Sequence, residues 1–337
     1  MGNCLNMNET LFERLEQQAV KNPKRIALPE SGNEIIIKAA EQIVLKKIGT
    51  PVLIGSPATI EAYAESLGVK TEGFEYFDNT IEDNIFKLAS DYAQIYTELT
   101  EKSVIRKSKD AVNCAMVLTK LGVTDCAAAG RVYTTGDVVL AGQTILGLKE
   151  GFTTVSSLGI VNAPDFEGPE GHMLGIADGA VNPAPDETAL ADIAIASADT
   201  VKTLLGWEPR VAMLSFSTCG SSEHETIDVI RKAITLVKSR RPELKIDGEF
   251  QLDAAIIPKS AASKVKRESE VAGKANVLIF PNLHAGNIGV KLIQIFGHAD
   301  AYGPVLQGFS KPICDFSRSA PLSEIMGNII MLVVRAQ

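Results

Sequence analysis

Residues 26–55, IALPESGNEIIIKAAEQIVLKKIGTPVLIG, contain two short apolar runs separated by an amphipathic segment. Residues 26–29 and 51–55 have the length and apolar content of buried strands. Residues 34–48 have helical apolar spacing, with Lys46 and Lys47 near the end, where cations favour a helix C-terminus. The stretch therefore predicts a β-α-β unit.

The same alternation continues along the chain. Near-continuous apolar strands between helices are typical of a mainly parallel sheet covered on both faces, so the predicted fold class is α/β. A length of 337 residues, at roughly 150 residues per domain, favours two domains. Strands are predicted at residues 115–118, 153–155, 211–214, 254–257 and 277–280, and a long Ala-rich helix at 186–205.

Composition narrows the function classes. The chain is 45% apolar, has a formal net charge of -8 and lacks a long Lys/Arg block, so no nucleic-acid partner is expected. No apolar run reaches the roughly 20 residues that span a bilayer, so no membrane association is expected. Five cysteines without a C-x-x-C pair favour reduced thiols and a cytoplasmic location. They are at positions 4, 114, 126, 219 and 314.

The segment 315–324, DFSRSAPLSE, is the first candidate site. An apolar run ends at Asp315, and Pro321 is placed to open a helix; ligands of open parallel sheets bind where strands end and helices begin. Arg318 offers a planar fork of donors for phosphate oxygens, Ser317 a further donor, and Glu324 a base. A surface arginine beside a serine cap, with Glu324 serving the helix dipole, is the alternative.

Three more turns carry groups that suit an anionic ligand. Residues 211–222 contain Ser217 after a buried strand, and residues 125–143 contain Gly130 followed by Thr134 and Thr135. Residues 285–289 include Asn287 and are expected to form a strand-to-helix turn. Each signal is weak alone, because Ser/Thr turns also arise simply by satisfying backbone groups.

Several other chemistries lack their sequence signatures. The chain has no G-x-x-x-x-G-K-[ST], G-x-G-x-x-G, H-E-x-x-H or G-x-S-x-G motif. Its four histidines show no metal-ligand spacing, so we expect no metal site. Cys219 and Cys314 have no sequence-adjacent base and are expected to be packing thiols.

Taken in order, these turns resemble the phosphate acetyltransferase (phosphotransacetylase) family. The likeness runs from about residue 26 to residue 336 in long ordered blocks. They include KLGVTDCAAAGRVYTTGD at 120–137, FTTVSSLGIV at 152–161, the block at 177–218, DGEFQLDAAIIP at 247–258, VAGKANVLIFPNLHAGNIG at 271–289 and GPVLQGFSKPICDFSR at 303–318.

The resemblance implies an architecture. Family members have two α/β domains facing each other across a cleft, are related to isocitrate and isopropylmalate dehydrogenases, and usually form homodimers. On that pattern, domain I comprises residues 1–152 and 304–337, and domain II residues 153–303. The expected partners are the substrates acetyl-CoA, phosphate, acetyl phosphate and CoA, with no cofactor.

The resemblance also implies roles for single residues. Arg318 is expected to bind acyl phosphate, Ser317 to assist the charged transition state, and Glu324 to take the thiol proton of CoA. Two arginines usual in the family correspond to Lys109 and Leu140, of which only Lys109 keeps the charge. The substrate-binding residues predicted from the resemblance and the turns are Lys109, Thr134, Thr135, Ser217, Asn287, Gln307 and Gly308.

Three functional hypotheses stay open on the sequence. The first is an acetyl-specific enzyme, and the second is a phosphate acyltransferase preferring propionyl or butyryl groups. The third is a catalytically weak homologue kept for binding or regulation. One methylene in a pocket is worth only about 1–3 kcal/mol, so acyl preference depends on pocket shape.

Overall fold

The computed structural model describes residues 11–337, so Cys4 and the rest of residues 1–10 lie outside the described chain. The chain divides into two compact units. Unit 1 contains the described residues up to Gly147 together with Phe309–Gln337, and unit 2 is Leu148–Gly308. The domain limits at 152/153 and 303/304, which came from the family resemblance, stay a prediction.

Strands and helices alternate over residues 11–337. The strands are β1 Lys24–Leu28, β2 Gly49–Ile54, β3 Glu75–Phe77, β4 Cys126–Ala129, β5 Ser156–Asn162, β6 Met173–Ala177, β7 Arg210–Leu214, β8 Lys245–Phe250, β9 Val277–Ile279, β10 Asp300–Gln307 and β11 Ile313–Asp315. The helices are α1 Leu11–Lys21, α2 Glu34–Leu45, α3 Pro57–Ser66, α4 Glu82–Ile95, α5 Glu101–Ser108, α6 Ala111–Lys120, α7 Thr135–Ala141, α8 Glu187–Leu205, α9 Glu225–Arg240, α10 Leu252–Ile256, α11 Pro258–Lys264, α12 Leu283–Phe296 and α13 Leu322–Arg335. A π-helical turn, Gly142–Leu146, follows α7.

The β-α-β unit predicted from residues 26–55 is confirmed. Strands β1 and β2 pair in parallel, with Ile26 opposite Pro51. Helix α2 starts where the Asn33 side chain accepts hydrogen bonds from the N–H groups of Ile35 and Ile36, because the N–H groups of the first helical turn have no carbonyl acceptor within the helix. The helix ends at Leu45, three residues earlier than its apolar spacing indicates.

Unit 1 contains a five-stranded, fully parallel sheet in the order β11-β4-β1-β2-β3. The carboxyl ends of β11, β4 and β1 are therefore neighbours at one edge. Phe316, Gly130 and Glu30 lie just beyond these three ends. This is the edge at which open parallel sheets bind ligands.

Unit 2 contains a six-stranded sheet in the order β10-β5-β6-β9-β7-β8. The pairs β10–β5 and β5–β6 are antiparallel, whereas β6, β9, β7 and β8 run parallel to one another. Helix α8 packs along β5, β6, β7 and β9, and most of its residues are buried. The fold is thus mixed α/β with mainly parallel sheets, as predicted.

Four local predictions need correction. Residues 115–118 and 254–257 were predicted as strands but lie in or directly after helices α6 and α10. An apolar run that is buried on every side has the same pattern in a strand and in a helix. Residues 153–155 precede β5 instead of forming a strand, and 285–289 belong to the first turns of α12.

The described chain contains no helix long and apolar enough to cross a bilayer. Cys114, Cys126 and Cys314 are buried, Cys219 is exposed, and all four are free thiols. Within residues 11–337, no group of three or more His, Cys, Asp or Glu side chains is placed to hold a metal ion.

Candidate active site at the carboxyl edge of the unit 1 sheet

The Ser317–Arg318 turn follows β11 directly, as the sequence predicts. Both side chains are exposed, and within residues 11–337 the Arg318 guanidinium has no hydrogen bond or ion pair. The Ser317 hydroxyl lies 3.2 Å from that of Ser319. Pro321 occupies the N-cap position of α13, and Glu324 stands exposed in the first turn of that helix. The turn therefore presents a guanidinium, hydroxyls and a carboxylate to solvent.

Arg131 donates hydrogen bonds to the backbone carbonyl groups of this turn. Its Nη1 donates to the carbonyl oxygens of Ser317 and Ala320, each at 3.3 Å, and to that of Arg318. The N–H of Ala320 also donates to the Ser317 carbonyl at 3.0 Å, which closes the turn. One guanidinium thus contacts three carbonyls of a segment that has no regular secondary structure.

Glu30 organises the loop that carries Arg131. Its carboxylate, only 4% exposed, accepts the backbone N–H groups of Gly130, Arg131, Val132 and Tyr133 at 2.6 to 3.1 Å. Four donors on one buried carboxylate satisfy its desolvated charge and leave the loop little freedom. Glu30 follows β1, so the ends of β1 and β4 are connected here.

Asp315 forms a second connection between the β11 end and the β4–α7 loop. Its Oδ2 accepts a hydrogen bond of 2.5 Å from the Thr135 hydroxyl, while its buried Oδ1 has no hydrogen-bond partner in the described chain. Burial is the main reason that the pKa of Asp315 is raised to about 6. The Thr135 hydrogen bond opposes this shift, and the charge of Glu30 adds to it.

The other predicted residues of unit 1 lie around the same loop. The Thr134 hydroxyl and Asp137 form a capping box at the start of α7, so that hydroxyl is already engaged. Lys109 ends α5, and its Nζ lies 3.7 Å from Glu82 with both side chains exposed. The neighbouring residue of Lys109, Asp110, accepts a hydrogen bond from the Tyr133 hydroxyl at 2.8 Å. Lys109 is therefore connected to the loop through one residue.

In unit 2, Ser217 belongs to a buried network. Its hydroxyl donates to Glu249 at 2.9 Å, and Arg231 donates to both oxygens of that carboxylate. Burial raises the pKa of Glu249, but the hydrogen bonds from Arg231, from the Gly220 N–H and from Ser217 outweigh it and lower the pKa to about 2. As a substrate contact, Ser217 stays a prediction, and its present hydrogen bonds would first have to be exchanged.

Gln307 is similarly occupied. It is 2% exposed, its amide oxygen accepts from Thr200, and its amide nitrogen donates to Ser156 and Ser197, all at 2.9 Å. Gly308 adopts a φ of 91°, and an added Cβ would lie 2.6 Å from the Thr154 carbonyl oxygen. The positive φ and the nearby Thr154 carbonyl therefore favour glycine at position 308. As substrate contacts, both residues stay predictions.

Asn287 is exposed on α12, and its side-chain nitrogen donates to the Gly179 carbonyl at 3.1 Å. Here the polypeptide approaches closely, because a Cβ on Gly286 would lie 2.2 Å from the Asp178 carbonyl oxygen. Asn287 is accessible to a ligand, unlike Ser217 and Gln307.

A cavity of about 560 Å³ in unit 2 has basic walls. Its lining includes Arg231, Lys266 and Arg267 together with the exposed Cys219. Arg231 is paired with Glu249, and Arg267 binds Asp247 through both terminal nitrogens. Most of this positive charge is therefore neutralised within the protein, in contrast to the unpaired Arg318 of unit 1.

The sequence and the fold of this chain can be compared with those of known proteins. The sequence profile described as phosphate acetyl/butaryl transferase matches residues 10–333 of this chain. The chain belongs to that family. A phosphate acetyltransferase of Thermoanaerobacterium thermosaccharolyticum is 38% identical over 330 residues, which cover 97% of this chain and 100% of the relative. That of Clostridium acetobutylicum is 39% identical over 329 residues, covering 97% and 98%.

Solved structures agree with this assignment to the phosphate acetyl/butaryl transferase family. A phosphotransacetylase from Staphylococcus aureus is 31% identical and superposes with a TM-score of 0.86, covering 97% of this chain and 98% of that one. The family resemblance recognised from the ordered sequence blocks is thereby confirmed.

Sequence reasoning missed the structural roles of Glu30, Arg131 and Asp315. The sequence signals are faint: a Glu after the first strand, an Arg after Gly130, and an Asp that ends an apolar run. Glu30 and Gly130 are 100 residues apart, and Arg131 and Arg318 are 187 apart. Only the strand order of the sheet brings them together.

Proposed function

We propose that this chain is a phosphate acetyltransferase, which reversibly transfers an acetyl group between CoA and inorganic phosphate. Family membership and the names of relatives that match over nearly their whole length support this function. The structural observation that carries the proposal is the unpaired, exposed guanidinium of Arg318 beside Ser317, in a turn held from behind by Arg131.

In the direction of acetyl-CoA synthesis, Glu324 takes the proton of the CoA thiol. The thiolate attacks the acetyl carbonyl of acetyl phosphate, a C–S bond forms, the C–O bond breaks, and inorganic phosphate leaves. A thiol with a pKa near 8.5 is mostly protonated at neutral pH, so a base increases the attacking species. In reverse, phosphate oxygen attacks the thioester, and protonated Glu324 returns the proton to the leaving thiolate.

Arg318 contributes through its geometry. Its fork matches two phosphoryl oxygens, and it holds them while negative charge moves between the phosphate and the acyl oxygen. Ser317 donates a hydrogen bond to the developing charge. Both donors are exposed and project from a backbone segment that Arg131 holds, so a substrate can reach them without displacing the turn.

Further parts of this proposal come from the family resemblance. The two domains are of the isocitrate/isopropylmalate dehydrogenase type, no cofactor is required, and the enzyme is a cytoplasmic homodimer. Free thiols at the four described cysteines are compatible with a reducing compartment. Lys109, Thr134, Thr135, Ser217, Asn287, Gln307 and Gly308 are proposed to contribute to substrate binding.

A phosphate acyltransferase of longer-chain preference is the second candidate function. Leu140, where the family usually has arginine, is 63% exposed on α7, and Val132 is exposed in the preceding loop. Apolar side chains in this region bind apolar parts of a substrate more favourably than polar parts, because apolar surface is then removed from water. The third reading, a catalytically weak homologue, has less support because a guanidinium, a hydroxyl and a carboxylate are all present in the turn.

Phosphate-dependent release of free thiol from acetyl-, propionyl- and butyryl-CoA at equal concentration tests the function. We expect the highest kcat/KM with acetyl-CoA and the formation of acetyl phosphate without added metal or nucleotide. Arsenate in place of phosphate should also release thiol. The absence of turnover with every short acyl thioester would refute the proposal, and a higher kcat/KM for butyryl-CoA would favour the second candidate.

A further inference from the structure

Arg131 contacts the Ser317–Arg318 turn only through carbonyl oxygens. Its Nη1 lies 3.3 Å from the carbonyl oxygens of Ser317 and Ala320 and also contacts that of Arg318. Its Nε is buried without a hydrogen-bond partner in the described chain, so this part of the guanidinium is removed from solvent. Desolvation strengthens the attraction between this charge and the three carbonyl dipoles.

The direction of these carbonyls decides where the N–H groups of the turn point. A trans peptide is planar, and its N–H is antiparallel to its C=O. Because the Ser317 and Arg318 carbonyls point toward Arg131, the N–H groups of Arg318 and Ser319 point away from it. Within residues 11–337, neither N–H donates a hydrogen bond. Two backbone donors are therefore free on the side opposite Arg131.

We infer that Arg131 is a positioning residue that aims the backbone N–H groups of Arg318 and Ser319 at the phosphoryl oxygens of the substrate. This inference rests on the proposed function. With the Arg318 guanidinium and the Ser317 hydroxyl, these N–H groups complete a set of donors around one anion. A cation on the carbonyl side polarises each peptide group and makes its N–H a stronger donor.

Two contacts keep Arg131 in register with the turn. Its own N–H donates to Glu30 at 3.0 Å, which anchors its backbone to the end of β1. The Phe316 N–H donates to the Ala129 carbonyl at 2.7 Å, which joins the starts of the two loops. The guanidinium thus bridges two segments whose separation is already set by the sheet, so it can specify peptide orientation.

The test compares Arg131→Ala with Lys87→Ala, a matched control that removes an exposed cation from α4 of the same unit. In Arg131→Ala, we expect KM for phosphate to rise and kcat to fall, with kcat/KM for phosphate lower by roughly 100-fold and KM for acetyl-CoA nearly unchanged. Free guanidinium at millimolar concentration should restore part of the lost activity. Lys87→Ala should match the wild type with and without guanidinium.

Melting temperatures and calorimetric titration with inorganic phosphate complete the test. A fold that keeps its melting temperature but binds phosphate at least 10-fold more weakly supports the inference. Unchanged phosphate affinity in a normally melting Arg131→Ala, or a rise only in KM for acetyl-CoA, would overturn it. If the wild type binds phosphate but transfers no acyl group, the proposed function is wrong. The phosphate affinities of the wild type and Arg131→Ala then still test the role inferred for Arg131. A wild type that binds no phosphate overturns both.

Discussion

The hydroxyl of Thr135 donates a 2.5 Å hydrogen bond to Oδ2 of Asp315 and thereby ties the start of α7 to the end of β11. The two residues are 180 positions apart in the chain. Asp315 is followed after one residue by Ser317, so this hydrogen bond, together with the contacts of Arg131, sets where the Ser317–Arg318 turn begins. The strength of the hydrogen bond between Thr135 and Asp315 depends on the protonation state of Asp315.

Asp315→Asn should change how stability depends on pH. The pKa of Asp315 is raised to about 6, above its value of about 3.9 in an unfolded chain. The folded protein therefore binds the proton more tightly than the unfolded chain does. The contribution of this carboxyl group to the free energy of unfolding is fully present below about pH 4 and is lost as the pH rises through about 6. The loss is on the order of 2–3 kcal/mol.

The measurement is the free energy of unfolding of the wild type minus that of Asp315→Asn, at pH 4 and pH 7. Asparagine keeps an acceptor for Thr135 but does not ionise, so we expect this difference to fall on going to pH 7. A difference that is constant with pH would show that Asp315 does not titrate in this range.

Arg318→Lys should lose most of the activity. An ammonium keeps the charge but not the planar fork, so two phosphoryl oxygens are no longer held together. We expect kcat/KM to fall by about 100-fold or more in both Arg318→Lys and Arg318→Ala, with slightly more activity left in the lysine variant. Arg106→Lys, at an exposed arginine of α5, is the matched control. A normally melting Arg318→Lys with half the wild-type rate would contradict the assigned role.

Glu324→Gln should lower kcat more than it raises KM for CoA. The substitution keeps the shape of the side chain and removes its ability to accept a proton, which costs roughly 100-fold or more when proton transfer limits the rate. Initial rates of acetyl-CoA synthesis from acetyl phosphate measure this effect. Glu65→Gln, at an exposed position on α3, controls for the lost charge. Equal turnover in Glu324→Gln and the wild type would mean that another group takes the thiol proton.

Gly130→Ala should destabilise unit 1 and lower the activity that depends on the Ser317–Arg318 turn. Gly130 has a φ of 120°, and an added Cβ would lie 2.5 Å from the Asp315 carboxylate and from two backbone atoms of Phe316. Because backbone atoms at the ends of β4 and β11 cannot move apart cheaply, we expect a loss of roughly 2–4 kcal/mol of unfolding free energy.

Gly32→Ala is the matched control for this substitution, since nothing lies within 4 Å of its added Cβ. Denaturant unfolding of the two variants gives the comparison. If Gly130→Ala is as stable as Gly32→Ala, the close approach of the two strand ends described above is wrong.

Much of the architecture was predictable because it is encoded by local patterns. The apolar runs around Ile26 and Val52, with the amphipathic segment between them, specify β1, α2 and β2 through burial and spacing within some 30 residues. The turn at Ser317 and Arg318 was also recognisable, because a strand end and a helix-opening proline flank it.

Tertiary structure decided what these local patterns leave open. Residues 115–118 were wrongly predicted as a strand because a run that is buried on all sides has no period that separates a strand from a helix. They lie in a helix that Asp110 caps. The support of the turn by Glu30, Arg131 and Asp315 depends on β1, β4 and β11 lying side by side, and nothing in a local pattern specifies that order. The position of the Ser317–Arg318 turn was therefore predictable from the sequence, whereas the groups that hold this turn are set by contacts between segments distant in the chain.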